Sequence, residues 1–186
     1  MRWLGGMKSG DSMRYVVVMF LLAASSRADA AVIDVASNGF TVQVKAHISA
    51  APDRAYAALI TPARWWNPDH TFSGNSANLS LDAKAGGCWC EKLPNGGSVV
   101  HLTVVYVNPG KVLRLRGALG PFQGYAVDGA MTWSLKAVGG GTDVSLEYTL
   151  GGYSKDGFDA GSKAVDGVLS DQVARLKQFI ERPQGN

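Results

Sequence analysis

FDAGSKAVDGVLSDQVARLKQFIER, residues 158–182, decides the fold. Val165, Val168, Leu169, Val173, Leu176 and Ile180 recur at spacings of three, four and seven, and Lys163, Asp171, Arg175 and Lys177 fall largely between them. That pattern predicts one long amphipathic helix. At a fixed rise per residue it is about 36 Å long, and its apolar stripe needs a partner. Nearly everything between it and the N-terminal region reads as strands of one antiparallel sheet, which supplies that partner.

Working back along the chain, Thr142–Tyr153 alternates Val144, Leu146, Tyr148 and Leu150 with Ser145, Glu147 and Thr149, and Gly129–Val138 alternates Met131, Trp133 and Leu135 with Thr132, Ser134 and Lys136. Period two is the mark of a strand with one buried face. Further strands are predicted at Lys111–Leu119, Ser98–Asn108, Gly87–Leu93 and Asn78–Ala83, separated by Gly139-Gly140-Gly141, Asn108-Pro109-Gly110, Pro94-Asn95-Gly96-Gly97 and Ala85-Gly86-Gly87. Turns this short make neighbouring strands antiparallel. A first strand opens from Val32 and runs through Phe40, Val42, Val44, Ala46 and Ile48.

Two short helices follow that first strand. Pro52 and Asp53 mark the start of an Ala-rich helix to Ile60, and Thr61-Pro62 ends it and starts another through Trp65-Trp66, with Thr61 placed to cap. The order is strand, two short helices, six strands, long helix. Its fold class is α+β: a curved seven-stranded antiparallel sheet wrapping a C-terminal helix, with room between them for a ligand.

Residues 1–30 stand apart. Arg2, Lys8 and Arg14 form a basic region, Tyr15–Ala24 is an apolar run, and Ala28-Asp29-Ala30 offers a small-residue cleavage site before Ala31. This predicts a secretory signal peptide, and an apolar run of ten is too short to span a bilayer. No stable membrane anchor is expected after cleavage, and the predicted location is periplasmic or secreted. The single domain is then 31–186, carrying 14 basic and 13 acidic residues for a net charge of +1. No cluster of Lys and Arg with interleaved aromatics appears, so nucleic acid is not an expected partner. Cys88 and Cys90 are the two cysteines. In an oxidising compartment they can pair, although positions i and i+2 of a strand lie near the upper limit of bridge geometry.

Four motifs carry a family resemblance. They are Pro52-x-x-x-Tyr56-x-Ala58-Leu59, Thr61-Pro62-x-x-Trp65-Trp66, Gly86-Gly87-x-Trp89 and Pro109-Gly110-Lys111-x-Leu113. With the element order, they resemble the START-like, or SRPBCC, superfamily, and in particular bacterial proteins similar to the domain of Hsp90 ATPase activators. The resemblance covers Val32 to Ile180. It implies a helix-grip fold with an apolar cavity, among relatives that include lipid carriers, cyclase-like proteins and co-chaperone modules, so fold alone does not fix function. Export departs from the chaperone activators, since Hsp90 and ATP are not expected in a periplasm.

In the family pattern the aromatic after the glycine pair faces the cavity, which by strand parity turns Trp89 and Glu91 inward and Cys88 and Cys90 outward. A carboxylate facing an apolar interior needs a partner. His101 on the next strand and Arg116 beyond it are the candidates, and a rim position or a structural ion pair is the plainer alternative. Trp65, Trp66 and His70, with Asp69, fall beside a polar loop where they can gate a cavity mouth or plug the end of the fold as core. Residues 116–124, rich in glycine and holding Pro121 and Phe122, can form a lid or an edge turn.

The reading that follows is a binding protein for an apolar or amphipathic small molecule. Trp89, Trp133, Tyr148 and Val165 would line the site, Glu91 or Arg116 would orient a polar end, and Trp65, Trp66 and His70 would stand near the mouth. The alternatives are a cavity enzyme using Glu91 with His101 or His70 as acid and base, and a protein-interaction module. No cofactor is implied. A metal site is not expected either, because Cys-x-Cys is not the usual zinc-hairpin spacing and strand parity parts the cysteines from Glu91.

Overall fold

The computed structural model describes residues 29–182. The segment read as a signal peptide lies outside the described residues except for Asp29 and Ala30, which open the first strand. The strands are β1 (Asp29–Ala36), β2 (Gly39–Ile48), β3 (Leu79–Leu81), β4 (Cys88–Lys92), β5 (Ser98–Asn108), β6 (Val112–Arg116), β7 (Ala126–Val138) and β8 (Gly141–Tyr153). The helices are α1 (Pro52–Leu59) and α2 (Asp159–Glu181). All eight strands form one antiparallel sheet in the order β1-β2-β8-β7-β6-β5-β4-β3.

The sheet has eight strands where seven are expected, because the opening strand is a hairpin. The chain reverses at Ser37-Asn38, and β1 pairs with β2 from Asp29 opposite Lys45 to Ala36 opposite Gly39. Gly39 is required at the start of β2, since a Cβ there would run into the Leu150 carbonyl. The second short helix is also less than expected. It is a single 3-10 turn, Pro62–Arg64, and the Thr61 hydroxyl donates to the Ala58 carbonyl at 2.8 Å rather than capping it.

The inner face follows the alternation in the sequence. Val42, Val44 and Ile48 of β2, Met131 and Trp133 of β7, and Leu146, Tyr148 and Leu150 of β8 are wholly buried, and they meet Leu169, Val173, Leu176 and Ile180 of α2. The C-terminal half of α2 is clamped. Arg54 of α1 donates to the Ile180 carbonyl at 2.6 Å, Lys177 donates to the His47 carbonyl, and Glu181 accepts from the Ser49 amide at 2.8 Å and from Lys177 at 3.0 Å. Burial pushes the Glu181 carboxyl up, but the bonds from Ser49 and the Lys177 charge outweigh it and hold the group below its ordinary range.

This half of the molecule is also full. Trp133 is 0% exposed at the centre of the sheet, with Trp65 edge-on to it at 6.2 Å, and Tyr148 is likewise sealed. Trp133 and Tyr148 are therefore core rather than cavity lining, which corrects their expected role. A cavity opens instead beside the N-terminal half of α2.

Truncating Leu176, 1% exposed in the clamped half, is expected to cost about 2–5 kcal/mol as Leu176→Ala, since the side chain is buried in the core and its loss leaves a cavity behind. Urea unfolding measures it as a lower midpoint at unchanged slope.

Candidate functional site

A cavity of about 500 Å³ opens between three walls. The N-terminal half of α2 gives Gly161, Ala164, Val165, Val168 and Leu169; the loop after Trp65 gives Trp66, Asp69, His70, Thr71 and Phe72; the segment before β7 gives Leu119, Gly120, Pro121, Phe122 and Tyr125. His101 reaches it from β5. Apolar side chains dominate the lining, and the polar members are few.

The loop wall is pinned at both ends. At one end the Asn67 amide donates to Gln172 at 2.9 Å, and its side-chain amide donates to Asp171 at 2.7 Å, which itself pairs with Arg175. At the other end Glu91 of β4 accepts from the amides of Phe72, at 3.1 Å, and Ser73, at 2.5 Å. Between these clamps the Trp66 indole donates to the His70 carbonyl at 3.0 Å and the Thr71 hydroxyl to the Pro68 carbonyl at 2.7 Å. Trp66 backs onto Trp65 at 5.5 Å and edge-on against Trp89 at 4.8 Å.

The opposite wall is a 3-10 turn, Gly120–Gly124. It is tied by the Leu119 amide donating to the Tyr148 hydroxyl at 3.2 Å and by Gln123 donating to the Val100 carbonyl at 3.0 Å. Phe122 packs on Phe40 at 6.1 Å and lies against α2 where Gly161 has no side chain; a Cβ there would stand 2.7 Å from the Phe122 ring. The segment borders the cavity, with Phe122 half-buried and Tyr125 50% exposed.

Glu91 is 1% exposed and its carboxylate also accepts from His101 Nε2 at 2.8 Å. Burial alone pushes this carboxyl up. Hydrogen bonds from the Ser73 hydroxyl and amide, the Phe72 amide and His101 outweigh it, so the group titrates below the ordinary carboxylate range and is ionised at neutral pH. His101 owes its place to a bulge. Trp89 pairs with Leu102 but Cys90 pairs with Val100, so His101 is an extra residue in β5, and both it and Leu102 turn inward.

Of the residues expected at the site, Trp66, His70 and Val165 line the cavity. Trp65, Trp89 and Glu91 are buried behind the lining residues. Arg116 is on the outer face, exposed and paired with Asp128, so it neither lines the cavity nor meets Glu91. Strand parity explains this correction: Leu113 and Leu115 of β6 take the inner face, which leaves Arg114 and Arg116 outside. Phe72, Leu119 and Val168 were not expected as lining residues. A lone aromatic in an otherwise polar loop was the available signal for Phe72.

Cys88 and Cys90 are joined as a disulfide with Cα atoms 5.3 Å apart, inside rather than at the edge of the usual range. Among the described residues no group of three or more His, Cys, Asp or Glu side chains could hold a metal ion, and no helix is long and apolar enough to cross a membrane.

The family profile described as polyketide cyclase / dehydrase and lipid transport matches residues 39–181. No curated protein matches the sequence. Among solved structures the fold is similar to that of a protein from Mesorhizobium loti, with a TM-score of 0.56 and 19% identity over 78% of this chain and 99% of that chain. It is also similar to a conserved protein of unknown function from Enterococcus faecalis, at 0.57 and 16% over 88% and 81%. The Aha1 dimer from Colwellia psychrerythraea gives 0.55 and 18% over 78% and 98%. Identities this low speak to the fold alone, and the shared fold is the helix grip.

Glu91→Gln tests the loop anchor. The folded carboxyl titrates below its unfolded value of about 4.3, so its stabilisation is fully present above that value and is lost as pH falls through the lower folded one. The variant is expected to be less stable at neutral pH by about 2 kcal/mol, and the gap from wild type should close in acid. Urea unfolding across that range checks it; a gap independent of pH would mean the charge at Glu91 is not what holds the loop.

Proposed function

Because the chain belongs to the polyketide cyclase / dehydrase and lipid transport family, we propose that it is an exported carrier of an apolar or amphipathic small molecule. The observation that carries this reading is the cavity of about 500 Å³, walled by aromatic and aliphatic side chains and reached by His101 as its one largely buried polar side chain. A volume of that size and lining is typical of sites that bury most of a small ligand. The guest would lie against the N-terminal half of α2, between the doubly pinned loop and the 119–125 turn, rather than beneath the centre of the helix.

The acid/base alternative loses Glu91 as a free group. Glu91 already serves two backbone amides and His101, so it is committed as an anchor, and proton transfer to a guest would have to pass through His101 or through His70 at the exposed part of the lining. Binding needs no such step, and it is the reading the apolar lining supports best.

Val168 is half-buried on the cavity face of α2. Val168→Trp should fill the cavity while leaving the clamped half intact, lowering affinity for a fluorescent apolar probe at least about tenfold, or 1.4 kcal/mol, with an unchanged circular dichroism spectrum. Probe binding that survives the filled cavity would overturn the carrier reading. Export is tested separately: protein recovered from a periplasmic extract should have an N-terminus at Ala31, and an intact chain beginning at Met1 in the cytoplasmic fraction alone would contradict it.

A further inference from the structure

His101 makes one hydrogen bond among the described residues, from Nε2 to Glu91 at 2.8 Å. The carboxylate also accepts from the Phe72 and Ser73 amides. An ionised carboxylate can only accept, so Nε2 must carry the proton. In a neutral imidazole the other nitrogen, Nδ1, is then a bare lone pair. This nitrogen is not sealed in the protein: the buried polar atoms without a partner are Trp89 Nε1, Trp133 Nε1, Asp166 Oδ1 and Gln172 Nε2, whereas the His101 ring borders the cavity.

The rest of the lining sharpens the consequence. Asp69 and His70 are exposed, where water competes for any bond they make. The Thr71 hydroxyl is already spent on the Pro68 carbonyl at 2.7 Å. No Lys or Arg lines the cavity. With the imidazole neutral, the buried polar contact open to a guest is an acceptor with an ionised carboxylate behind it, in a place with no Lys or Arg to receive an anion. Such a site favours a guest that donates and penalises one that only accepts, because an acceptor would face the lone pair with its own water removed.

We infer that the cavity is selective for an uncharged apolar molecule bearing a hydroxyl group, which donates to Nδ1 of His101, and that it discriminates against carboxylate-bearing guests. The inference rests on the proposed carrier function and names the chemistry of its guest. Glu91 acts here as a positioning residue: it fixes the tautomer and does not touch the guest.

Three probes of one shape separate the outcomes: 2-naphthol, 2-methoxynaphthalene and 2-naphthoate, titrated at neutral pH into the purified protein and followed by calorimetry. The naphthol should bind about three- to tenfold tighter than its methyl ether, the yield of one net hydrogen bond, although the ether is the more apolar of the two. The naphthoate should bind weakest. In His101→Phe, which keeps an aromatic ring and removes the acceptor, the naphthol preference should vanish while the ether still binds. The comparison in the wild-type protein needs no variant, so a poorly folded His101→Phe does not decide the matter. Equal affinity for naphthol and ether would overturn the inference and leave the carrier reading standing. Preference for the naphthoate would overturn it by showing that Nδ1 carries a proton. Failure of all three to bind would sink the carrier reading along with it.

Discussion

Glu91 is a carboxylate taken almost wholly out of water, and the cavity end of the molecule is arranged around satisfying it. An ionised group in that position is costly unless several donors converge on it. The two amides of Phe72 and Ser73 and the imidazole of His101 do so. One requirement thereby has two results. It fastens the loop that carries Trp66, His70 and Phe72 to the sheet, and it fixes which nitrogen of His101 is taken up by the protein.

A second asymmetry decides where that cavity can be. The long helix α2 meets the sheet along its whole length, but its two halves meet different things. Near Ile180 it is held by Arg54, Lys177 and Glu181, and Val173, Leu176 and Ile180 of that half are buried. Near Gly161 it faces a thin turn, where small residues and the Phe122 ring replace a packed layer. Interiors pack close to crystal density, and the close packing gives way beside the first half of α2, where a cavity of about 500 Å³ lies among the rings of Trp66, Phe72 and Phe122.

Much of the architecture is legible in the chain because it rests on periodicity. The 3.6-residue stripe from Val165 to Ile180 and the alternation through Met131–Leu135 and Val144–Leu150 place the helix and the inner faces of β7 and β8 directly. The Glu91–His101 pairing is legible as a hairpin neighbourhood, but not as a contact. Simple alternation carried through β5 would give His101 and Leu102 opposite faces; the bulge lets both face inward. Trp133 and Tyr148 show the reverse limit. Their inward direction is readable from alternation, but whether an inward ring lines a void or fills one depends on which rings meet it from elsewhere, here Trp65 and Phe40.

The sequence by itself determined the α+β order, the faces of the regular strands and the terminal amphipathic helix, and with the family resemblance it offered Glu91 as an inward carboxylate in need of a donor, a rim position being the plainer alternative. These are local properties, set by side-chain period and by the cost of desolvation. Tertiary structure alone decided that Glu91 is met by His101 rather than Arg116, that the opening strand folds back as a hairpin, and that the open volume lies beside the first half of α2. Those outcomes depend on register, on one extra residue in β5 and on the meeting of rings far apart in the chain, none of which a period of two or 3.6 encodes.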